Sequence, residues 1–138
     1  MDSANAQRSH FLQLTKESTE ANVIHAWESG RIRVREEWLD GNIIVAANEI
    51  ILGWTDSGAE GLTVEELGPA IALRPEIILL GTGDRHVFPE SPLISDLASK
   101  SIGLEIMTTP AACRTYNVLV HENRQVVAAL FNARSTPR

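Results

Sequence analysis

The chain reads as an α/β domain built on a central mixed, partly parallel sheet, and three features of its pattern lead there. After Glu76, the run Ile77-Ile78-Leu79-Leu80 is uninterrupted and apolar, as a strand buried on both faces requires, and Gly81-Thr82-Gly83 follows at once. From Glu76 onward, strand-like and helix-like stretches alternate, which favours parallel neighbours joined by right-handed crossovers. The first third instead holds short stretches of period two separated by turn residues, which adds a β-rich N-terminal portion. Helices cover the sheet, so the expected architecture has three layers in a single domain.

The 138 residues, 43% of them hydrophobic, suffice for one core, since a domain of about 150 residues buries roughly two thirds of its unfolded surface. Residues 1–9 are small and polar and read as a frayed tail, 10–131 as the domain, and 132–138 as a second loose tail. Order is expected to begin at His10-Phe11-Leu12-Gln13-Leu14. Asn22 to Trp27, the turn Ser29-Gly30 and the alternating Arg31 to Arg35 form a β-hairpin, with the arginines on its solvated side. A strand follows the Asp40-Gly41 turn, over Asn42 to Ala47. Asn48 to Trp54 fits a strand or a helical turn equally, because Ile50-Ile51-Leu52 is too short for periodicity to decide.

Asp56 to Gly61 has the composition of a loop, and Thr63-Val64-Glu65-Glu66 has capping-box spacing, so a helical turn begins there. Gly68-Pro69 interrupts that turn and permits a restart. Beyond the strand at Glu76, Ser91 as cap and Pro92 as first residue start a helix with the apolar face Leu93, Ile94 and Leu97, and Gly103 stops it. A strand over Leu104 to Met107 leads to Thr109-Pro110, which repeats the cap and proline of Ser91-Pro92 and opens a helix to about Glu122. Asn123 provides a left-handed exit, and Gln125 to Phe131 is the closing strand.

Loops at the carboxyl ends of parallel strands share one edge of a sheet, where ligands commonly bind. The candidate ligand-binding residues are therefore Gly81, Thr82, Gly83, Asp84 and Arg85 after one strand, and Thr108, Thr109, Arg114, Tyr116 and Asn117 after the next. The helix start offers amides and a dipole to an anion, and Arg85 or Arg114 offers a bidentate donor. The turn is neither a dinucleotide loop nor a P-loop. His86 stands where the third glycine belongs, Pro89 and Pro92 delay the helix, and no Gly-Lys-Ser/Thr is present. Tyr116 and Asn117 are also suited to bonding neighbouring loops. Asp84 and Glu105 have room to approach each other at the strand ends, and Glu105 is equally placed to face an arginine across the sheet.

No catalytic residue, metal site or cofactor is expected: Cys113 reads as a small buried thiol, and His10, His25, His86 and His121 lack metal-ligand spacing. Trp27, Trp38 and Trp54 read as packing anchors. A net charge of -6 without a Lys/Arg cluster argues against nucleic acid as a partner. One cysteine fits a reducing compartment, with the cytoplasm as the default. Met1 to Lys16 lacks the apolar core of a signal peptide, and no run is long enough to span a bilayer. Membrane association would be peripheral, through a partner.

Leu79-Leu80-Gly81-Thr82-Gly83, then Gly103-Leu104-Glu105-Ile106-Met107-Thr108-Thr109, then Ala111-Ala112-Cys113-Arg114-Thr115-Tyr116-Asn117-Val118-Leu119 resemble a family of small uncharacterised α/β proteins. That family includes mitochondrial NADH dehydrogenase (complex I) assembly factor 3. The resemblance is strong over 76–131 and looser before it. It implies a three-layer α/β fold, and it carries a signature, Gly81, Thr82, Gly83, Arg114, Thr115, Tyr116 and Asn117, without catalytic roles. The mitochondrial relative assists assembly of a respiratory complex, and bacterial relatives are often encoded beside membrane subunits of protein translocase. Lacking an Arg-rich amphipathic start, this chain resembles a bacterial-type member. The first expectation is thus a non-enzymatic binding or assembly-type factor acting through a protein partner that is itself membrane-bound or soluble. The rival is an enzyme or sensor holding a small anion at the Gly81–Arg85 turn and Thr109. A purely structural homo-oligomer, formed through exposed edges or apolar patches, is the third.

Overall fold

The computed structural model describes residues 13–15 and 20–133. β1 (Gln13–Thr15) falls in the stretch expected to begin the ordered part. His10, Phe11 and Leu12 lie outside the described residues, as do 1–9 and 134–138. The expected hairpin is present: β2 (Ile24–Glu28) and β3 (Arg31–Val34) pair antiparallel, and Gly30 supplies the positive φ, 96°, that its two-residue turn demands. Ile32 and Val34 are buried while Arg33 is exposed. Arg31 and Arg35 are instead partly buried, Arg31 lying 4.1 Å over the Trp38 ring and Arg35 donating through Nε to Asn22 Oδ1 at 2.9 Å.

A third strand, β4 (Glu37–Asp40), extends this sheet and was not legible locally. Its turn contains no glycine, because Arg35 itself takes a φ of 60°. β5 (Ile43–Ala46) and β6 (Glu49–Leu52) then pair antiparallel, so the ambiguous stretch around Ile50 is a strand. Short 3-10 turns at Ala59–Gly61 and Glu65–Leu67 precede α1 (Gly68–Ile71), which restarts at Gly68-Pro69 as expected.

β7 (Ile77–Gly81), α2 (Leu93–Ala98), β8 (Gly103–Met107), α3 (Thr109–His121) and β9 (Val126–Leu130) complete the chain. The six-stranded sheet has the order β1-β6-β5-β9-β7-β8, with β7 parallel to both β8 and β9, and β2-β3-β4 form a separate sheet. From β7 the chain steps one way to β8 and then returns across β7 to β9. Two right-handed crossovers travelling in opposite directions put α2 and α3 on opposite faces. The side chains agree with this. Ile43, Val45, Leu79, Ala128 and Leu130 pack with α3 and the small sheet, while Ile44, Ile78, Leu80, Ala129 and Phe131 pack with α2, Leu67 and Trp54. The result is a three-layer mixed α/β fold.

Three helix signals are displaced. Ser91 does not cap α2: its hydroxyl donates to the Leu62 carbonyl at 2.6 Å, and Pro92 occupies the cap position. Ile94, expected on the apolar face, is 60% exposed, whereas Leu93 and Leu97 are buried. Ser101, with a φ of 64°, makes the left-handed exit from α2, and Gly103 begins β8. The cap of α3 is Thr108 rather than Thr109, its Oγ1 accepting from the Ala111 N–H at 3.4 Å. Asn123 makes the expected left-handed exit at a φ of 62°.

Candidate functional site

β7 and β8 run in parallel register to Gly81 opposite Met107, so the turn after one meets the helix start after the other, as the pattern predicted. A Cβ on Gly81 would stand 2.8 Å from Thr109 Oγ1 and 2.9 Å from Thr109 Cα, so glycine is what lets α3 sit against the strand end. Gly83 carries a φ of 105°, open to glycine and strained for other residues. Thr82 is buried and closes the turn: its hydroxyl donates to the Arg85 carbonyl at 2.7 Å and accepts from the Val87 N–H at 3.1 Å. Thr109, fully buried, accepts from the Gly83 N–H at 2.8 Å and donates to the Phe131 carbonyl at 2.7 Å.

These bonds change what the edge can hold. A helix start attracts anions through the unpaired N–H groups of its first turn. Here the Thr109 N–H donates to the Gly83 carbonyl at 2.7 Å, Pro110 has no N–H, and the Ala111 N–H goes to the cap. Arg85 and Arg114 are exposed, and neither lines the cleft beside the turn. Turn and helix start are brought together as the sequence indicated, without the cationic side chains assigned to them. Tyr116 and Asn117 face elsewhere. The buried Tyr116 hydroxyl donates to the Asn22 carbonyl at 2.9 Å, and burial pushes its pKa up. Asn117 accepts from the Ile24 N–H at 2.9 Å and donates to the Ile24 carbonyl at 2.8 Å, standing in for a neighbouring strand along β2.

The cleft that does open at this edge has a volume of about 350 Å³. Its walls are Trp27 and Ser29 of the hairpin, the loop Asp56–Glu60, Thr82 to Asp84 with Val87, and Phe131 to Ala133, with Asn42 among them. Asp56, Glu60 and Asp84 contribute carboxylates, and no lysine or arginine lines it, so the cleft suits a cationic group better than an anion. Asp84 thus shares a cleft with Asp56 and Glu60, and Glu105 is not among its lining residues.

The cleft's fixed side is an asparagine network. Asn42 Oδ1 accepts from the N–H groups of Asn132 and Ala133 at 2.7 and 2.9 Å, and its Nδ2 donates to the Thr55 carbonyl at 3.0 Å. Asn132 Oδ1 accepts from the Trp27 indole at 2.9 Å, and Asn132 Nδ2 donates to the Glu28 carbonyl at 3.1 Å. Asn132, assigned to a loose tail by its composition, is therefore buried and bonded. Asn42, Asp56, Glu60 and Asn132 escaped the sequence reading because the cleft that gathers them is built from segments far apart along the chain, and no local pattern marks them.

Cys113 is buried, and burial pushes its thiol up to about 12 against the opposing charge of Arg114. A thiol so raised stays protonated and is a poor nucleophile. Among the described residues, no group of three or more His, Cys, Asp or Glu side chains is placed to hold a metal ion. No helix among them is long and apolar enough to cross a membrane.

Residues 24–131 match the model of a family described as protein of unknown function (DUF498/DUF598). A human protein, NADH dehydrogenase [ubiquinone] 1 alpha subcomplex assembly factor 3, is 28% identical over 127 residues, which cover 91% of this chain and 68% of that protein. The 13 kDa major membrane protein of Francisella tularensis is 43% identical over 56 residues, covering 41% of this chain and 46% of that protein. The chain thus matches about half the length of that relative. The crystal structure of a Bordetella parapertussis protein superposes with a TM-score of 0.76 at 32% identity, covering 84% of this chain and 99% of that one.

Proposed function

The chain belongs to the DUF498/DUF598 family of proteins of unknown function, and on that premise we propose that it is a non-enzymatic, assembly-type binding factor acting through a protein partner. One observation carries the reading. The signature side chains Thr82, Tyr116 and Asn117, with the neighbouring Thr109, spend their hydrogen bonds on backbone, Thr82 within its own turn and the others on distant segments, so they build the fold rather than a reaction centre. The likeness to an assembly factor over most of the chain supports the same reading. The contact surface in this proposal is the cleft at the carboxyl edge, and its partner segment is basic, to match Asp56, Glu60 and Asp84. The setting is the cytoplasm, with a partner that is membrane-associated.

A photo-crosslinking residue at Ser29, an exposed residue on the opposite wall of the cleft, tested in cells with gently solubilised membranes, examines this directly. A protein adduct of discrete mass is expected, and Asp56→Lys with Glu60→Lys should abolish it. An identical adduct pattern from position 118, on the far side of α3, or no loss on charge reversal, would overturn the cleft as the contact surface.

A further inference from the structure

The outer wall of the cleft, the loop Asp56–Glu60, is held by a residue that is not among the cleft's lining. Glu66 Oε2 accepts from the hydroxyls of Thr55 at 3.1 Å and Ser57 at 2.8 Å, where the loop begins. Its other oxygen, Oε1, accepts from the Thr63 N–H at 3.2 Å, where the loop ends. Thr55 Oγ1 in turn accepts from the Ser57 N–H at 3.1 Å. One carboxylate therefore fastens both ends of the wall, from a 3-10 turn anchored by the fully buried Leu67. The other ties of the wall are Asn42 Nδ2 to the Thr55 carbonyl at 3.0 Å, the Glu90 N–H to the Glu60 carbonyl at 2.9 Å, the Ser91 hydroxyl to the Leu62 carbonyl, and Ala59 and Leu62, buried in the apolar core; none of them joins its two ends to each other.

We propose that Glu66 is the positioning residue of the cleft, a latch that sets where the wall carrying Asp56 and Glu60 stands. Without it the wall opens at both ends while the central sheet, packed by other residues, is unaffected. The cleft then loses its defined spacing between these carboxylates and Asp84. The consequence for partner binding rests on the cleft being the contact surface; the latch itself does not.

The test compares Glu66→Ala and Glu66→Gln in a Trp38→Phe background, which leaves the cleft residue Trp27 and the buried Trp54 as fluorophores. Hydrogen exchange at the Ser57 and Leu62 amides is expected to quicken about tenfold in Glu66→Ala, with exchange in β7 and β9 unchanged, as local opening requires. Acrylamide quenching of Trp27 should rise with it, and Glu66→Gln, which keeps the length and one acceptor oxygen, should fall between. Unchanged exchange in the wall, or equal quickening in β7 and β9, would overturn the proposal, the second by reducing Glu66 to a general stabiliser. A loosened wall with an undiminished Ser29 adduct would support the latch and count against the cleft as the partner surface.

Discussion

The helical layers on the two faces of the six-stranded sheet are fastened by different means, α3 being held between that sheet and the small one. α3 is seated by directional bonds to distant backbone: Thr109 to Phe131, Tyr116 to Asn22, and Asn117 to Ile24, the last two across 94 and 93 residues. α2 is seated by Leu93 and Leu97 against the other apolar cluster, and it leaves Ile94 60% exposed and Phe88, in the loop before it, 74% exposed. These two line an apolar groove of about 310 Å³ with Pro89, Pro92 and Ile106. Hydrogen bonds specify position because a displaced donor leaves a buried partner unsatisfied, whereas apolar contacts tolerate shifts that preserve area. The α3 layer should therefore be intolerant of change, and the α2 layer permissive.

The sharpest test of that contrast is Gly81→Ala. Its new Cβ would press on the backbone of Thr109, and the expected loss is about 3 kcal/mol, measured by chemical denaturation. Next in size is Thr109→Val, which keeps the shape but leaves the Gly83 N–H and Phe131 carbonyl unpaired; about 2 kcal/mol is expected in the same assay.

A smaller effect depends on pH. The hydrogen bond from the Ser57 hydroxyl, helped by the Thr63 N–H and the Thr55 hydroxyl and opposed by burial, holds the Glu66 carboxyl below its ordinary pKa. Its contribution is therefore full above the unfolded carboxylate pKa and is lost as pH falls through the lower folded one. The stability difference between the wild type and Glu66→Gln should shrink on acidification. A difference that grew would contradict the bonding described.

The smallest effect is expected on the α2 side: Ile94→Ser should change stability by no more than about 0.5 kcal/mol. If its cost equalled that of Thr109→Val, the contrast between the layers would be broken.

Much of the fold was legible in the chain because apolar periodicity is local. The run Ile77 to Leu80 identified a strand interior to the sheet, and the alternation of Ile32 and Val34 with arginines identified the hairpin face. Illegible features had causes of another kind. β4 was missed because Arg35 makes a turn that glycine or asparagine usually makes, and Ser91 was misread because its hydroxyl found the Leu62 carbonyl, 29 residues away. In the candidate site, the meeting of Gly81–Gly83 with Thr108 and Thr109 followed from parallel topology, and the placement of Arg85 and Arg114 did not.

The sequence by itself determined the strands and helices from β7 onward and the β2-β3 hairpin, whereas the strand order, which with right-handed crossovers puts α2 and α3 on opposite faces, came with the tertiary structure. Only the tertiary structure decided where the polar groups end: Thr109 on Gly83 and Phe131, Asn42 on Asn132, and Asp56, Glu60 and Asp84 around one cleft. The physical reason is range. A pattern of burial repeats every few residues, whereas a hydrogen-bond partner or an opposing cleft wall is supplied by whichever distant segment folding brings within about 3 Å, or across a gap.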